Sequence, residues 1–566
     1  MPRYEPLGRM DDPIASEGDR GFKGIDSYLE PTTLQGGFVE TSENMRLDGD
    51  IAEVRKGIEF KAGAVTLTYS AGTEEVFCSA VFSDPATGNE YIAAATKDKV
   101  ILWNDSNNTG LYVEYTGSEV VAAADGASFC QSLEKLILFR GTGKDPLEWD
   151  GVFTDTNGDG TVDSTFDLKN NASPSAGTVE CPRTTFGLFF ANRLIVPQPS
   201  DSAYTVIMSE LLDTDEFRAS TSQFRINRGT ADRLIGFTPY LENQLLIFFR
   251  NSIHLINNVA VTSAAAVFEI TRQRGCVARK SIAASGPQIY FLSDDGVFTL
   301  QQGLDPAKGL GVAISKVSGE AIPLSRPIQD QFKDVNFAAA EKACGIVFDN
   351  KYFLAVATGS CSVSGNSTKA QCDLAGGTWT ASTENTKIFV YDILNTAWTS
   401  IDSFPSGFVI DDFVTVLHGS NPTKRRLFAV NDKGWHLVDE AATDITGTIG
   451  NASTTSTAIT AKLKTRSFTL GNMEVKSWKR GQLGCEVNNG DAFTVKVNTT
   501  DPDRTTTVHT ESYSGSQEEK LIRFGSGRSR GYAANVEIDV TGGRPKFRHV
   551  SLDAIANGAN ARRDVQ

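Results

Sequence analysis

Short apolar runs alternate with tight-turn residues along most of the chain, and each pair of runs has the pattern of a β-hairpin. In one pair, the turn Asn251-Ser252 joins residues 244–250 to residues 253–256. In another, residues 288–300 repeat the pattern around Asp294-Asp295-Gly296. β-branched and aromatic residues favour strands, and Asn or Asp-Gly favours the turn between them. Because a lone hairpin is unstable in water, the pattern predicts hairpins that stack on one another.

Units of this kind recur about seven times at intervals of roughly 35–65 residues, the spacing of four-stranded propeller blades. Four units carry a tryptophan late in the unit: Trp103, Trp149, Trp398 and Trp435. A repeated aromatic residue is typical of such blades. The sequence therefore predicts an all-β fold with a β-propeller of about seven blades over residues 61–447. A chain of β-sandwiches is the alternative, but it needs longer runs between turns. Only residues 327–342 have the pattern of a helix.

The segments on either side of the repeats have different patterns. Residues 1–60 are rich in Gly, Pro and charged residues and are predicted to form an extended arm with the first strands. The Gly, Ser, Thr and Asn residues of segment 448–456 are typical of a linker. Residues 457–555 alternate apolar and polar positions, which predicts a small antiparallel β-sandwich. Residues 556–566 are predicted to be a disordered tail.

Length and charge narrow the classes of function. A chain of 566 residues is long enough for two to four domains. It has no run near the roughly 18 apolar residues of a membrane helix, and its first residues lack an apolar signal core, so neither membrane insertion nor export is expected. The net charge of -15 argues against general nucleic-acid binding.

The charge is also unevenly distributed. Residues 461–566 contain 17 Lys and Arg against 12 Asp and Glu, a balance of +5, which leaves -20 for the first 460 residues. Opposite charges on two parts of one chain suggest an electrostatically oriented assembly. The alternative is two independently solvated surfaces.

Eight cysteines are spread singly along the chain, and none has Cys-x-x-Cys spacing. This excludes a zinc ribbon or a thioredoxin-like motif. Scattered cysteines in a reducing compartment are usually small buried side chains. Cys361 and Cys372 bracket a loop rich in Ser, Gly and Thr, and they could form a disulfide after release from the cell.

An acidic turn has the pattern of a calcium loop. Such loops place oxygen ligands at positions one, three and five, glycine at six and a carbonyl at seven. The matching residues are Asp155, Asn157, Asp159, Thr161 and Asp163, with Gly160 at the sixth position. Position twelve should hold a bidentate carboxylate but is Phe166, and Asp167 follows one residue late. The motif predicts structural calcium, with an acidic surface turn as the alternative.

Two motifs of hydrolytic enzymes occur in an unsuitable context. Residues 527–531 match Gly-x-Ser-x-Gly, but a basic Gly/Ser-rich loop stands where the nucleophile elbow needs a buried strand. Asp294-Asp295 and Asp411-Asp412 are paired acids of the kind that glycosidases use, yet the first pair already forms a hairpin turn. The chain is therefore expected not to be an enzyme, and no cofactor beyond structural calcium is expected.

The order of several segments resembles bacteriophage tail nozzle proteins, also called tail tubular protein B. Each segment alone is a weak hairpin signature, and their order over about residues 20–440 carries the resemblance. The similar segments are 22–58, 209–217 (Ser-Glu-Leu-Leu-Asp-Thr-Asp-Glu-Phe), 235–253, 274–281 (Arg-Gly-Cys-Val-Ala-Arg-Lys-Ser), 289–297 and 323–332.

This resemblance implies a structural protein of the tail of a short-tailed phage virion, assembled in the host cytoplasm. Family members form a six-fold ring below the tail adaptor protein, and tail fibres or spikes are further partners. DNA leaves through the ring without sequence-specific binding. An acidic channel repels phosphates, so the propeller is expected to face the channel and the basic sandwich a neighbouring subunit. The alternative is a receptor- or carbohydrate-binding propeller in the tail that forms no channel.

Overall fold

The structure of the chain, a computed structural model, is nearly all β, with 55% of residues in strands and 5% in helices. The predicted fold class is therefore confirmed. The described residues are 14–61, 75–97, 99–115, 121, 126–169, 175–198, 204–218, 220–227, 230–305, 309–314, 316–317, 320–363, 368–418, 424–451, 453–501, 504–515, 517–526 and 529–556.

Five blades of a β-propeller are separate four-stranded sheets whose strands pair in chain order. Apolar residues line both faces of their central strands, because each blade is packed between two others. The strands are Cys78–Ser83, Glu90–Ala95, Lys99–Asn104 and Thr109–Glu114 in blade 1; Ser128–Ser132, Lys135–Phe139, Leu147–Trp149 and Asp167–Leu168 in blade 2; Leu188–Phe190, Arg193–Pro197, Thr205–Met208 and Gln223–Arg225 in blade 3; Leu234–Tyr240, Gln244–Phe249, Ile253–Asn257 and Ala266–Thr271 in blade 4; and Ala283–Ser285, Gln288–Ser293, Gly296–Asp305 and Gly309–Ile314 in blade 5.

Two further blades belong to larger sheets. Blade 7 takes its fourth strand from the N-terminal part of the chain, and blade 6 continues beyond its fourth strand into the sandwich. Their strands are Cys344–Phe348, Lys351–Cys361, Trp379–Asp392 and Ala397–Ser403 in blade 6, and Asp412–His418, Lys424–Asn431, Gly434–Ala441 and Gly57–Phe60 in blade 7. A propeller of six blades with one additional blade agrees with the predicted number of about seven.

The first strands of the blades surround a central axis. Each lies against the first strand of the next blade, except that blade 4 reaches blade 5 through the short turn Arg279–Ser281, and blade 7 returns to blade 1. The four tryptophans of the repeats are all buried. Trp103 of blade 1 packs against Trp435 of blade 7 with ring centroids 5.4 Å apart, at the seam where the ring closes.

The remaining strands form a sandwich of two sheets. The N-terminal residues 14–54, expected to be part of an extended arm, contribute strands to both sheets. The first sheet contains Met45–Asp48, Ile51–Val54, Lys546–Ala556, Lys476–Val487 and Gln517–Gly525, with Ile14–Asp19 and Arg530–Gly531 attached; the second contains Phe38–Glu43, Ala461–Thr465, Ala533–Gly542, Ala492–Asp501 and Arg504–Ser514, with Gly24–Ile25 attached.

Propeller and sandwich share one hydrophobic core. Leu354 and Trp398 of blade 6 belong to the same buried cluster as Trp478, Phe493 and Leu552 of the sandwich. In addition, Ala397–Ser403 of blade 6 is paired with Phe38–Glu43 of the sandwich. The propeller and the sandwich are therefore rigidly joined.

Segments between the strands are short. Residues 327–342 form three short pieces and not one helix, because Asn336 leaves the helical path to bond the Ala357 carbonyl and to cap the third piece. In the expected linker 448–456, Ile449 is buried and Thr455–Thr457 pairs with Asp444–Thr446. The other elements are Thr262–Ala264, Arg279–Ser281, Arg326–Ile328 and Phe337–Lys342 (3-10 helices), Gln329–Phe332 and Lys369–Leu374 (α-helices), and the strands Lys316–Val317 and Glu320–Ala321.

Among the described residues, no helix is both long and apolar enough to span a bilayer. Of the expected tail, residues 557–566 lie outside the described residues.

Candidate functional site

A groove of about 980 Å³ lies where the propeller meets the sandwich. Its walls come from the N-terminal hairpin of the sandwich, the first hairpin of blade 6, the middle strands of blade 7 and the segment that leads into the last sandwich strand. The groove is thus assembled from parts of the chain that are hundreds of residues apart.

The groove is basic, although the chain is acidic. Eight basic side chains line it against five acidic ones, a balance of +3 among the lining residues of a chain of net charge -15. Three carboxylates outside the lining, Asp402, Glu90 and Asp105, pair with Arg46, Arg425 and Arg426. The basic residues are Arg46, Lys56, Lys351, Lys424, Arg425, Arg426, Arg544 and Lys546, and the acidic residues are Asp48, Glu53, Asp349, Asp439 and Glu440. Apolar side chains such as Phe348 and Leu427 lie between them.

Arg46 forms the fixed part of the groove. Its guanidinium bonds both oxygens of the buried Asp402, at 2.9 and 2.7 Å, and also bonds Asp439 of blade 7. Burial alone would lower the pKa of Arg46, but the two carboxylates outweigh it and raise that pKa. Burial alone would raise the pKa of Asp402, and Arg46 holds it below its usual value. Arg46 thus ties the sandwich to blades 6 and 7 as a permanent cation.

The outer cations of the groove are held loosely. Glu440 lies 3.7 Å from Lys424 and 3.8 Å from both Lys56 and Arg426, so one carboxylate is shared among three cations. The side chains of Lys424 and Lys56 are 70% and 44% exposed. Exposed pairs of this kind contribute little to stability, so Lys56 and Lys424 are available to an incoming carboxylate. The charge of the lining suits an acidic protein segment.

A buried ion pair lies next to the groove, at the residue that precedes Lys56. Arg55, almost fully buried, bonds Asp444 through two nitrogens at 2.8 and 2.7 Å. Its other donors reach Asn44, the Lys56 carbonyl and the Ser403 carbonyl. The N-terminal segment is thereby fixed to blade 6 and to Asp444–Thr446, the strand that follows blade 7.

The predicted calcium loop is a surface turn beside the outer strand of blade 1. The carboxylate of Asp155 accepts hydrogen bonds from the amides of Gly158 and Gly160, and Asp159 accepts one from the amide of Thr161. Asn157 bonds Asp159, and Asp163 accepts from Thr156. Phe166, at position twelve, is buried in the core of blades 1 and 2.

The acidic side chains of this loop therefore stabilise its own backbone. Within the part of the chain that the structure describes, no three His, Cys, Asp or Glu side chains are grouped so that they could hold a metal ion. Calcium binding by Asp155, Asn157, Asp159, Thr161 and Asp163 stays a prediction.

Three of the four paired acids are engaged in ion pairs. Asp294 lies 2.5 Å from Arg250, and Asp295 lies 2.6 Å from Arg274. Asp412 lies 2.9 Å from Lys280. Of the Gly-x-Ser-x-Gly motif, Gly527 and Arg528 lie outside the described residues.

Cys361 and Cys372 form a disulfide across the insertion of blade 6, the pairing that the sequence suggested. The other six cysteines are buried and are not part of a disulfide. Burial raises the pKa of Cys78, Cys130, Cys181 and Cys276 to about 12, so these thiols are not nucleophiles.

No protein-family model and no curated protein sequence matches the chain. Solved propeller structures do match. YCF48 from Cyanidioschyzon merolae has a TM-score of 0.33 at 10% identity, over 66% of this chain and 97% of that one. The Pan2 WD40 domain from Neurospora crassa has a TM-score of 0.29 at 12% identity, over 60% and 86%. A putative 6-phosphogluconolactonase from Bacteroides fragilis has 0.31 at 10%, over 66% and 95%. At these scores the matches identify neither a family nor an activity.

Proposed function

We propose that the chain is a structural subunit of a closed ring in the tail of a short-tailed phage, where it forms the nozzle through which DNA leaves. The observation that carries the proposal is the groove, lined mainly by basic side chains, where the acidic propeller meets the sandwich. A ring of identical subunits needs two different, complementary surfaces on each chain. The basic groove is one such surface, and the acidic part of the propeller supplies candidates for the other.

The rigid connection between the two parts of the chain supports this role. A shared core, a shared sheet and the buried Arg55–Asp444 pair join the propeller to the sandwich. A subunit whose parts cannot rotate against each other keeps the angle between its two contact surfaces constant. A constant angle is what allows a ring to close and not to grow into a filament.

An acidic wall also suits the passage of DNA. Carboxylates repel phosphates, so DNA would slide past the propeller without sequence-specific binding. The tail adaptor protein on one side and tail fibres or spikes on the other are the partners we propose. Catalysis is not part of this proposal.

The test is electron microscopy of the purified full-length protein, with and without calcium and the neighbouring tail proteins. A six-fold ring with an open channel, lined by acidic propeller surface, is the expected result. A monodisperse monomer under every condition would contradict the proposal and favour the receptor- or carbohydrate-binding propeller. A ring with a basic channel would contradict the assigned orientation of the propeller.

A further inference from the structure

A small cavity lies on the axis of the propeller, separate from the groove. Its volume is about 250 Å³, and it opens where the first strands of blades 1, 2, 4 and 7 approach the turn that precedes blade 5. Four blades and the turn before a fifth therefore line one cavity. Its polar side chains include Ser79, Ser128, Arg279, Lys280 and Asp412.

One cation of this cavity is already neutralised. The ammonium group of Lys280 lies 2.9 Å from the carboxylate of Asp412 and donates a hydrogen bond to the Asp411 carbonyl at 3.0 Å. Burial alone would lower the pKa of Lys280, but Asp412 outweighs it and raises that pKa. Lys280 and Asp412 together add no net charge to the cavity.

Arg279 has no such counter-ion among the residues that the structure describes. Its guanidinium lies over the ring of Phe186, 4.8 Å from the centroid. Burial lowers the pKa of Arg279, and the attraction of Asp412 does not restore it. A guanidinium is almost always ionised, so the cavity holds one uncompensated positive charge.

A second polar group of the cavity also lacks a partner. Ser79 Oγ is buried and makes no hydrogen bond within the described part of the chain. Ser128, by contrast, donates to the Thr185 carbonyl at 2.8 Å. A buried hydroxyl without a partner costs free energy unless a ligand or water satisfies it. Arg279 and the serine that carries the unpaired donor thus both line the cavity.

Gly236 leaves room for this arrangement. A Cβ at this position would lie 2.8 Å from Cγ of Arg279. The strand is irregular between Leu234 and Gly236, so the bulge and the absent side chain together let the arginine stem pass.

We propose that the axial cavity binds a small oxyanion, with Arg279 pairing with its oxygens and Ser79 donating a hydrogen bond. A guanidinium fork matches the two oxygens of a carboxylate or a phosphate. The cavity is smaller than the roughly 300–1,000 Å³ of sites for drug-sized ligands, which excludes a nucleotide. A free phosphate or a small monocarboxylate fits this chemistry. The proposal does not depend on the ring.

The test is calorimetric titration of the intact protein with inorganic phosphate and, separately, with acetate, at constant ionic strength set with sodium chloride. The expected result is saturable binding of one anion per chain, at millimolar affinity or better. Arg279→Gln should weaken binding by about tenfold or more, and Ser79→Ala by about threefold to tenfold. Arg272→Gln, at an exposed arginine of blade 4, is the matched control and should bind as the wild type does.

The preferred anion decides between phosphate and carboxylate sources of the same chemistry. If Arg279→Gln does not fold, Arg279→Lys and Ser79→Ala carry the test, since both are small changes within the cavity. Binding of neither anion by the wild type would overturn the proposal. Equal loss of affinity in Arg272→Gln, or unchanged affinity in both Ser79→Ala and Arg279→Lys, would do so as well.

Discussion

Arg55 joins several distant segments of the chain through one buried side chain. An arginine has five N–H donors. Those of Arg55 are directed at Asp444, Asn44 and the carbonyls of Lys56 and Ser403, so a side chain buried between the sandwich and blades 6 and 7 has no unsatisfied donor. A lysine has only three donors and no planar fork, and could not replace it.

Arg55→Lys is therefore expected to lower the free energy of unfolding by about 2–4 kcal/mol, because buried acceptors lose their partners. Chemical denaturation measures the change. The control is Arg183→Lys, since Arg183 pairs with Asp145 in solvent, where such a pair is worth about 1 kcal/mol or less. Equal losses in the two variants would contradict the role given to Arg55.

Asp411 should make stability depend on pH. Burial raises its pKa from 3.8 to about 6, and nearby carboxylates including Asp432 add to the rise, while Lys280 opposes it. The unfolded chain loses this proton near pH 4 and the folded chain near pH 6, so the contribution of Asp411 falls as pH rises through that window.

Asp411→Asn removes the charge that folding disfavours. The free energy of unfolding should rise by about 1–2 kcal/mol at pH 7.5 and should not change at pH 3.5. Asp412→Asn is the paired control and should destabilise the protein at pH 7.5, because it removes the partner of Lys280. Denaturation curves at the two pH values suffice; a gain that is equal at both would refute this explanation.

The acidic turn at residues 155–163 gives a third test at this scale. If it binds calcium, millimolar calcium should stabilise the wild type by about 1–3 kcal/mol, and Asp155→Ala should abolish that gain. Thermal unfolding with calcium or with a chelator measures it. Asp330→Asn, at an exposed carboxylate of helix Gln329–Phe332, is the control. If the wild type unfolds identically in both solutions, the turn does not bind calcium and its role is structural.

At the scale of elements, the pairing that closes blade 7 brings two backbone segments very close together. Its fourth strand, Gly57–Phe60, comes from the opposite end of the propeller sequence and pairs with Gly434–Ala441. A Cβ on Gly57 would lie 2.0 Å from the carbonyl oxygen of Thr443, which is backbone and cannot rotate away. The strand therefore requires glycine at its first position.

Gly57→Ala should destabilise the protein by about 2–3 kcal/mol, because the strand must move away from Thr443. Denaturant unfolding followed by tryptophan fluorescence would report it, since Trp435 and Trp103 pack beside this strand. Gly143→Ala is the matched control: nothing lies within 4 Å of the added carbon. Its effect should stay within about 0.5 kcal/mol, and a similar effect in both variants would show that closure is not sensitive to Gly57.

The local elements could be read from the sequence, whereas their distant partners could not. The hairpin of residues 244–257 pairs as its pattern predicted, because apolar alternation and turn residues act over a few positions. The N-terminal strand Ile14–Asp19 pairs with Lys546–Ala556, and no local pattern specifies a partner so far along the chain. The groove and the axial cavity were missed for the same reason, since each is assembled from separate segments.

At the scale of the whole molecule, the distribution of charge along the sequence can be compared with its distribution in the structure. The sequence indicated only that the first 460 residues are acidic and the last part basic. The structure adds a groove, formed by the sandwich and blades 6 and 7, where eight basic side chains come together. Six of them belong to the first 460 residues. If that groove receives an acidic surface of a neighbouring subunit, assembly should depend on its loosely held cations.

The double variant Lys56→Glu/Lys424→Glu tests this, because both side chains are exposed and each makes only a long contact with Glu440. It changes the balance of the groove from +3 to -1. The concentration at which rings form should rise by about tenfold or more, since reversed charges repel the acidic partner. Lys333→Glu/Lys369→Glu makes the same change of charge at two exposed lysines outside the groove, so its assembly should match that of the wild type.

Mass photometry from 50 to 300 mM salt separates the two double variants. Wild-type rings should weaken as the salt concentration rises, and the groove variant should lose that dependence, because salt screens the charges that this variant has reversed. Equal effects of both double variants would remove the groove from the interface and leave the ring itself to be judged by microscopy.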